Sequence, residues 1–157
     1  MSNRIFEICE LLAATIKADA TLSAYCAQHF GQAHQVLIGF DPANPPPAEQ
    51  MPWVAIVPAA AQIDEDMTTR EYTLDIAFAG INATIDTTTT TGITVWTGYQ
   101  KVYEVANMIQ EIIYTALQPS QNNPNNPFTL KDLGRVSVDL AHPRYLASWQ
   151  VRAGSAI

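Results

Sequence analysis

With 157 residues, a net charge of -7 and only 15% charged residues, this chain has room for one core that needs no disulfide or metal staple. Low charge leaves part of the surface neutral or apolar, a composition common in subunits that bury surface against one another. The basic residues Arg4, Lys17, Arg70, Lys101, Lys131, Arg135, Arg144 and Arg152 are scattered, which excludes the basic patch that sequence-specific nucleic-acid binding requires.

Residues 3–18 carry Ile5, Ile8, Leu12 and Ile16 at helical spacing, with Cys9 and Leu11 widening the stripe. A second, shorter helical stretch over 19–30 sets Leu22, Tyr25, Cys26 and Phe30 on one face, and Gly31 stops it. Cys9 and Cys26 form no C-x-x-C pair and read as two buried thiols of a reduced protein. The first residues lack an apolar signal core, and no apolar run reaches the ~18 residues of a membrane span, so a cytoplasmic chain is expected.

After the short apolar run Val36-Leu37-Ile38 comes a connector with Pro42, Pro45, Pro46 and Pro47, which favours extended polyproline geometry. Trp53–Val57 is almost wholly apolar and predicts a strand buried on both faces, bracketed by Pro52 and Pro58. Asp64-Glu65-Asp66 marks the turn that follows; its acids read as a solvated turn, since a calcium loop needs ligands at alternate positions. Across Arg70–Ala79, Tyr72, Leu74, Ile76 and Phe78 alternate with Thr73, Asp75 and Ala77, the pattern of a strand with one face on the core.

Residues 80–98, with five threonines from Thr87 to Thr91, predict a long protruding loop or β-arm. Ile81, Ile85, Ile93, Val95 and Trp96 would be poorly placed in water, which favours an arm that packs on a neighbouring subunit over a solvated loop. Tyr99–Leu117 predicts a second long amphipathic helix between Gly98 and Pro119. Residues 118–127 form a polar Asn/Pro loop, and two alternating strands close the chain, Val136–Leu140 and Tyr145–Arg152. The expected fold is therefore α+β over a single domain, 1–157: a mainly antiparallel sheet packed against two amphipathic helices, with long polar loops.

No pattern of catalysis, metal ligation or cofactor binding emerges. His29 and His34 straddle Gly31 and share no helical face with one another, His142 stands apart, and the glycines never cluster into a phosphate loop. No G-x-S-x-G motif occurs, and neither cysteine has a histidine in a plausible setting. The expectation is a protein that is not an enzyme and carries no cofactor. Its candidate residues are interfacial: Ile85, Ile93, Val95, Trp96, Arg135, Arg144 and Arg152 toward a neighbouring subunit, and Asp64, Glu65, Asp66 and Asp86 on an acidic lumen.

The N-terminal helix, the proline-marked run Gln50–Val57, the alternating strand Glu71–Phe78, the helix Tyr99–Leu117 and the terminal strand pair ending Trp149-Gln150-Val151-Arg152 together resemble a phage tail terminator. The likeness is one of element order and covers most of the chain. It implies a homo-oligomer, a hexameric ring, that stacks on the last ring of tail-tube protein and ends polymerisation. The ring would present its other face to the head–tail connector protein and let DNA pass through the lumen without sequence-specific binding. The chain would then be a virion protein of the tail or neck, assembled in the host cytoplasm, with no membrane partner. A head–tail connector or neck protein is a near alternative. A small cytoplasmic ligand-binding or enzyme domain, and an assembly chaperone absent from the finished particle, are alternatives of other classes.

Overall fold

The computed structural model describes residues 4–39, 41, 43–44, 46–63, 65–81, 87–118, 126–141 and 144–156, the side chains of 48, 87, 88, 96, 140 and 141 apart. Helix α1, Arg4–Ala18, forms where its apolar stripe predicts and buries Ile8, Cys9, Leu12 and Ile16. Helix α2, Ala20–Phe30, begins one residue later. The Asp19 carboxylate accepts a hydrogen bond from the Leu22 amide at 2.8 Å and so caps the start. Gly31 ends it at φ 90, the left-handed position that glycine takes without strain. Helix α3, Thr97–Leu117, buries Val102, Val105, Ala106, Ile109 and Ile113.

Gly98 was expected to precede the third helix and instead lies within its first turn. A Cβ at that position would come within 2.7 Å of the Tyr145 hydroxyl, so glycine is what lets the helix start against the sheet. Among the described residues all three helices contribute side chains to one large apolar core, so the short helix expected over 19–30 joins the two long amphipathic helices in one layer.

Among the described residues eight strands follow one another: β1 Gln35–Ile38, β2 Trp53–Ile63, β3 Thr69–Ile81, β4 Thr87–Thr90, β5 Ile93–Trp96, β6 Thr129–Asp132, β7 Ser137–Ala141 and β8 Arg144–Ala156. Six of them form a mixed sheet in the order β1-β2-β3-β8-β6, with β7 also on β8. The β1–β2 pairing is parallel and the others are antiparallel, so the α+β class stands with a mainly antiparallel sheet. β3 and β8 pair along their whole length, from Thr69 opposite Ala156 to Ile81 opposite Arg144.

The alternation of β3 does what its period predicts. Tyr72, Leu74, Ile76 and Phe78 join Tyr145, Ala147, Trp149, Val151 and Ala153 of β8 against the helices. β2 and β8 run well beyond the expected strands, and one further strand was not expected. β2 continues through Pro58 to Ile63, with a register shift between Pro58 and Ala60 at a stretch that β1 no longer covers. β8 continues through Ala153-Gly154-Ser155-Ala156, small residues with no visible alternation that are held by pairing to β3. β6 is a strand where the sequence shows none, formed because Thr129 and Leu130 pair with Gly154 and Ala153.

Between β6 and β7 the backbone crosses Gln150 at Gly134, φ 81, so closely that a Cβ would collide with the Gln150 carbonyl oxygen. Both cysteines are free thiols in the core. Burial pushes Cys9 up to about 11, with Glu10 adding to it, and pushes Cys26 up to about 12.

Candidate interaction surfaces

Among the described residues, the helices cover one face of the main sheet and leave the other without a layer. On that second face Trp53, Ala55 and Ala79 form a small apolar cluster of their own, with Leu37, Met51, Ala77 and Leu146 partly buried around it. Ala77, Ala79 and Leu146 occupy the phase of their strands in which polar residues are expected of a solvated sheet. They mark in the sequence that this face is not simply wet.

Two concavities lie on this face. One is an apolar pocket of about 360 Å³ walled by Trp53, Ala77, Ala79 and Leu146, with Met51, Asp139 and Arg144 also lining it. The other is an open groove of about 700 Å³ whose lining includes Asp75, Ser137, Ser148, Gln150 and Arg135. The groove sets these polar side chains among apolar ones, Ala55, Val57 and Ala77, whereas the pocket offers almost only carbon.

Two hairpins extend from the body. Beyond Pro58, β2 is exposed from Ala59 to Ile63, with Ile63 52% exposed. The turn back to β3 carries Glu65, Asp66 and Met67. Asp66 accepts from the Thr68 amide at 3.3 Å, bonds from Thr68 hold its carboxyl below the usual range, and Met67 is 76% exposed.

The second hairpin, β4–β5, pairs Thr87 with Trp96 through Thr90 with Ile93 and belongs to a separate two-stranded sheet. Its turn places Thr91 at φ 53 and Gly92 at φ 78, the pair of positive angles that a tight two-residue hairpin uses. The Thr89 and Thr94 hydroxyls lie 3.1 Å apart across the strands. The threonine-rich stretch is thus a β-arm over 87–96, and Ile93, 63% exposed, and Val95 face water.

The candidate residues do not gather in one place. Ile93 and Val95 lie on the β4–β5 arm. Trp96 ends β5, with its side chain outside the described residues, and Ile85 lies outside them altogether. Arg144 lies on the rim of the apolar pocket and Arg135 in the groove, and neither has an ion-pair partner among the described residues. Arg152 is engaged within its own chain, 3.3 Å from Glu71 and 3.4 Å from Asp132, while Lys131 lies 3.6 Å from Glu71. That network ties β3, β8 and β6 together and gives Arg152 a role in the sheet.

Of the acids assigned to a lumen, Glu65 and Asp66 stand at the β2–β3 turn; Asp64 and Asp86 lie outside the described residues. No protein-family model matches the chain, and no curated protein matches it. Sequence reasoning did not single out Met67. Its signal was an apolar residue inside an acidic turn, between Asp66 and Thr68, where solvation alone favours a polar side chain.

Proposed function

We propose that this chain is the subunit of a ring that caps the head-proximal end of a phage tail tube, ending tube growth and joining the tail to the head connector. The observation that carries the reading is the distribution of apolar surface. Two hairpin arms hold Ile63, Met67, Ile93 and Val95 in water, and among the described residues the sheet has a face that no helix covers. A lone subunit gains nothing from exposing these groups, and extended edges invite pairing unless another copy covers them.

A ring of such subunits also makes sense of the charge. At -7 each, they would give the channel a negative field that repels DNA phosphates and keeps a passing genome from adhering. Capping needs no chemistry. It needs one ring face that matches the tube and one that cannot accept another tube ring.

The test is the mass of the purified chain by light scattering, alone and with tail-tube protein, followed by addition to polymerising tubes. A ring, a complex with tube ends and arrested elongation are expected. A chain that neither binds tube protein nor shortens tubes would sink the reading. Binding to the connector alone would move it to the neck alternative.

A further inference from the structure

Among the described residues, the non-glycine residues at positive φ are Met67 and Thr91, each at the tip of a hairpin. Thr91 lies in a two-residue turn that demands such angles. Met67, at φ 56, has no such excuse, because asparagine or glycine would close the same turn with less strain. Strain kept at an exposed apolar residue points to a use for its side chain.

A fitting receptor lies at the other end of the same strand. The pocket of Trp53, Ala77, Ala79 and Leu146 is apolar, open to solvent and about 360 Å³ in volume. The length of β3 separates Ala79 from Met67, on the order of 40 Å at the rise of a strand, so a chain cannot fill its own pocket. The charges match as well. Glu65 and Asp66 precede Met67, and the pocket rim carries Arg144, which has no ion-pair partner among the described residues. Asp139 also lines the pocket and is the one rim group that opposes an acidic visitor.

We propose that Met67 of one copy seats in this pocket on a second copy of the chain, with Glu65 and Asp66 beside Arg144. The unbranched thioether of methionine adapts to an irregular apolar wall. Donor and acceptor surfaces at opposite ends of the subunit make the contact heterologous, the type that propagates head to tail and closes into a ring when the rotation permits. The contact engages Glu65 and Asp66 at the subunit boundary rather than along the channel. It rests on the ring reading only for closure.

The experiment is light scattering of the purified chain up to high micromolar concentration, with variants. The wild type is expected to self-associate. Met67→Asn suits the turn, so it should keep the circular dichroism and melting temperature while weakening association at least tenfold. Arg144→Glu should weaken it too, and Glu65→Arg in the same chain should restore it.

Cross-linking gives a second measurement. Met67→Cys mixed with Leu146→Cys should oxidise to covalent dimers of the two variants, and both changes in one chain should give a ladder. Cys9 and Cys26 are buried and do not compete. A monomeric wild type, or self-association that Met67→Asn leaves unchanged with no cross-link, overturns the proposal. So does a monomer whose tube-protein binding is lost on Leu146→Glu, which would give the pocket to another partner. Rings that cap tubes unaffected by Met67→Asn sink this contact alone, whereas a contact that forms in a chain unable to cap tubes sinks the functional reading alone.

Discussion

His34 Nε2 lies 2.7 Å from the carbonyl oxygen of Ile16, and the histidine is fully buried beside the end of α1. Lys17 Nζ donates to the His34 carbonyl at 2.8 Å, so the loop after α2 is fastened to the end of α1 from two sides. The ring nitrogen Nδ1 has no hydrogen-bond partner among the described residues. Burial, which outweighs the bond to Ile16, holds the imidazole below its ordinary range, with nearby Lys17 acting in the same direction.

A pH dependence follows with a definite sign. The unfolded chain binds the proton near pH ~6.5 and the folded chain only at lower pH. Acidification below ~6.5 therefore favours the unfolded state, and the loss grows until the folded-state value is reached. Thermal melts from pH 7.5 to 5 should show a falling melting temperature. His34→Gln should flatten that slope relative to wild type. An equal slope in both would remove His34 as the cause.

Gly134 and Gly31 make a contrast. Both have positive φ, but a Cβ meets nothing within 4 Å at Gly31 and collides with the Gln150 backbone at Gly134. Gly31→Ala should cost about 1 kcal/mol, the conformational term alone. Gly134→Ala should cost about 3 kcal/mol, because the β6–β7 crossing must move off β8. Urea midpoints of the two variants would check the order, and equal costs would mean that the crossing yields easily.

Tyr25 donates its hydroxyl hydrogen to Glu104, linking α2 to α3, and Lys101 lies 3.7 Å from the same carboxylate. Desolvation and that bond push the phenol well above its ordinary range. The site is partly exposed, so Tyr25→Phe should cost only about 1 kcal/mol, measured by chemical denaturation. Glu104→Gln should cost less than Tyr25→Phe, since a neutral acceptor remains.

Ile93 and Val95 lie on the exposed β4–β5 arm, so replacing both with serine should change monomer stability by less than about 0.5 kcal/mol. If the arm packs on a neighbour, the same change should lower the mass seen by light scattering. Unchanged mass with unchanged melting would assign the arm to a different partner or to solvent.

The elements read well from sequence are those whose pattern is local. The stripe Ile8-Cys9-Leu12-Ile16 and the alternation from Tyr72 to Phe78 each record which side of the backbone meets the core, and the structure buries those side chains. The elements missed depend on a partner. Thr129–Asp132 has too little pattern to announce a strand, and Ala153–Ala156 has side chains too small to alternate. Both are extended because a neighbouring ladder holds them. The exposed apolar residues of the arm, Ile93 and Val95, were legible, while Met67 and the pocket at Leu146 were not.

By itself the sequence determined the α+β class, the helical and sheet faces that make the core, the buried thiols and the threonine-rich β-arm, because side-chain periodicity and turn chemistry act over a few residues. Only the tertiary structure decided that Arg152 is engaged by Glu71 and Asp132 while Arg144 has no such partner among the described residues, that Gly98 admits Tyr145, and that Met67 and the apolar pocket stand at opposite ends of one strand. Those relationships join residues far apart in the chain, and strand register, which sets them, is a property of pairing that no single segment carries.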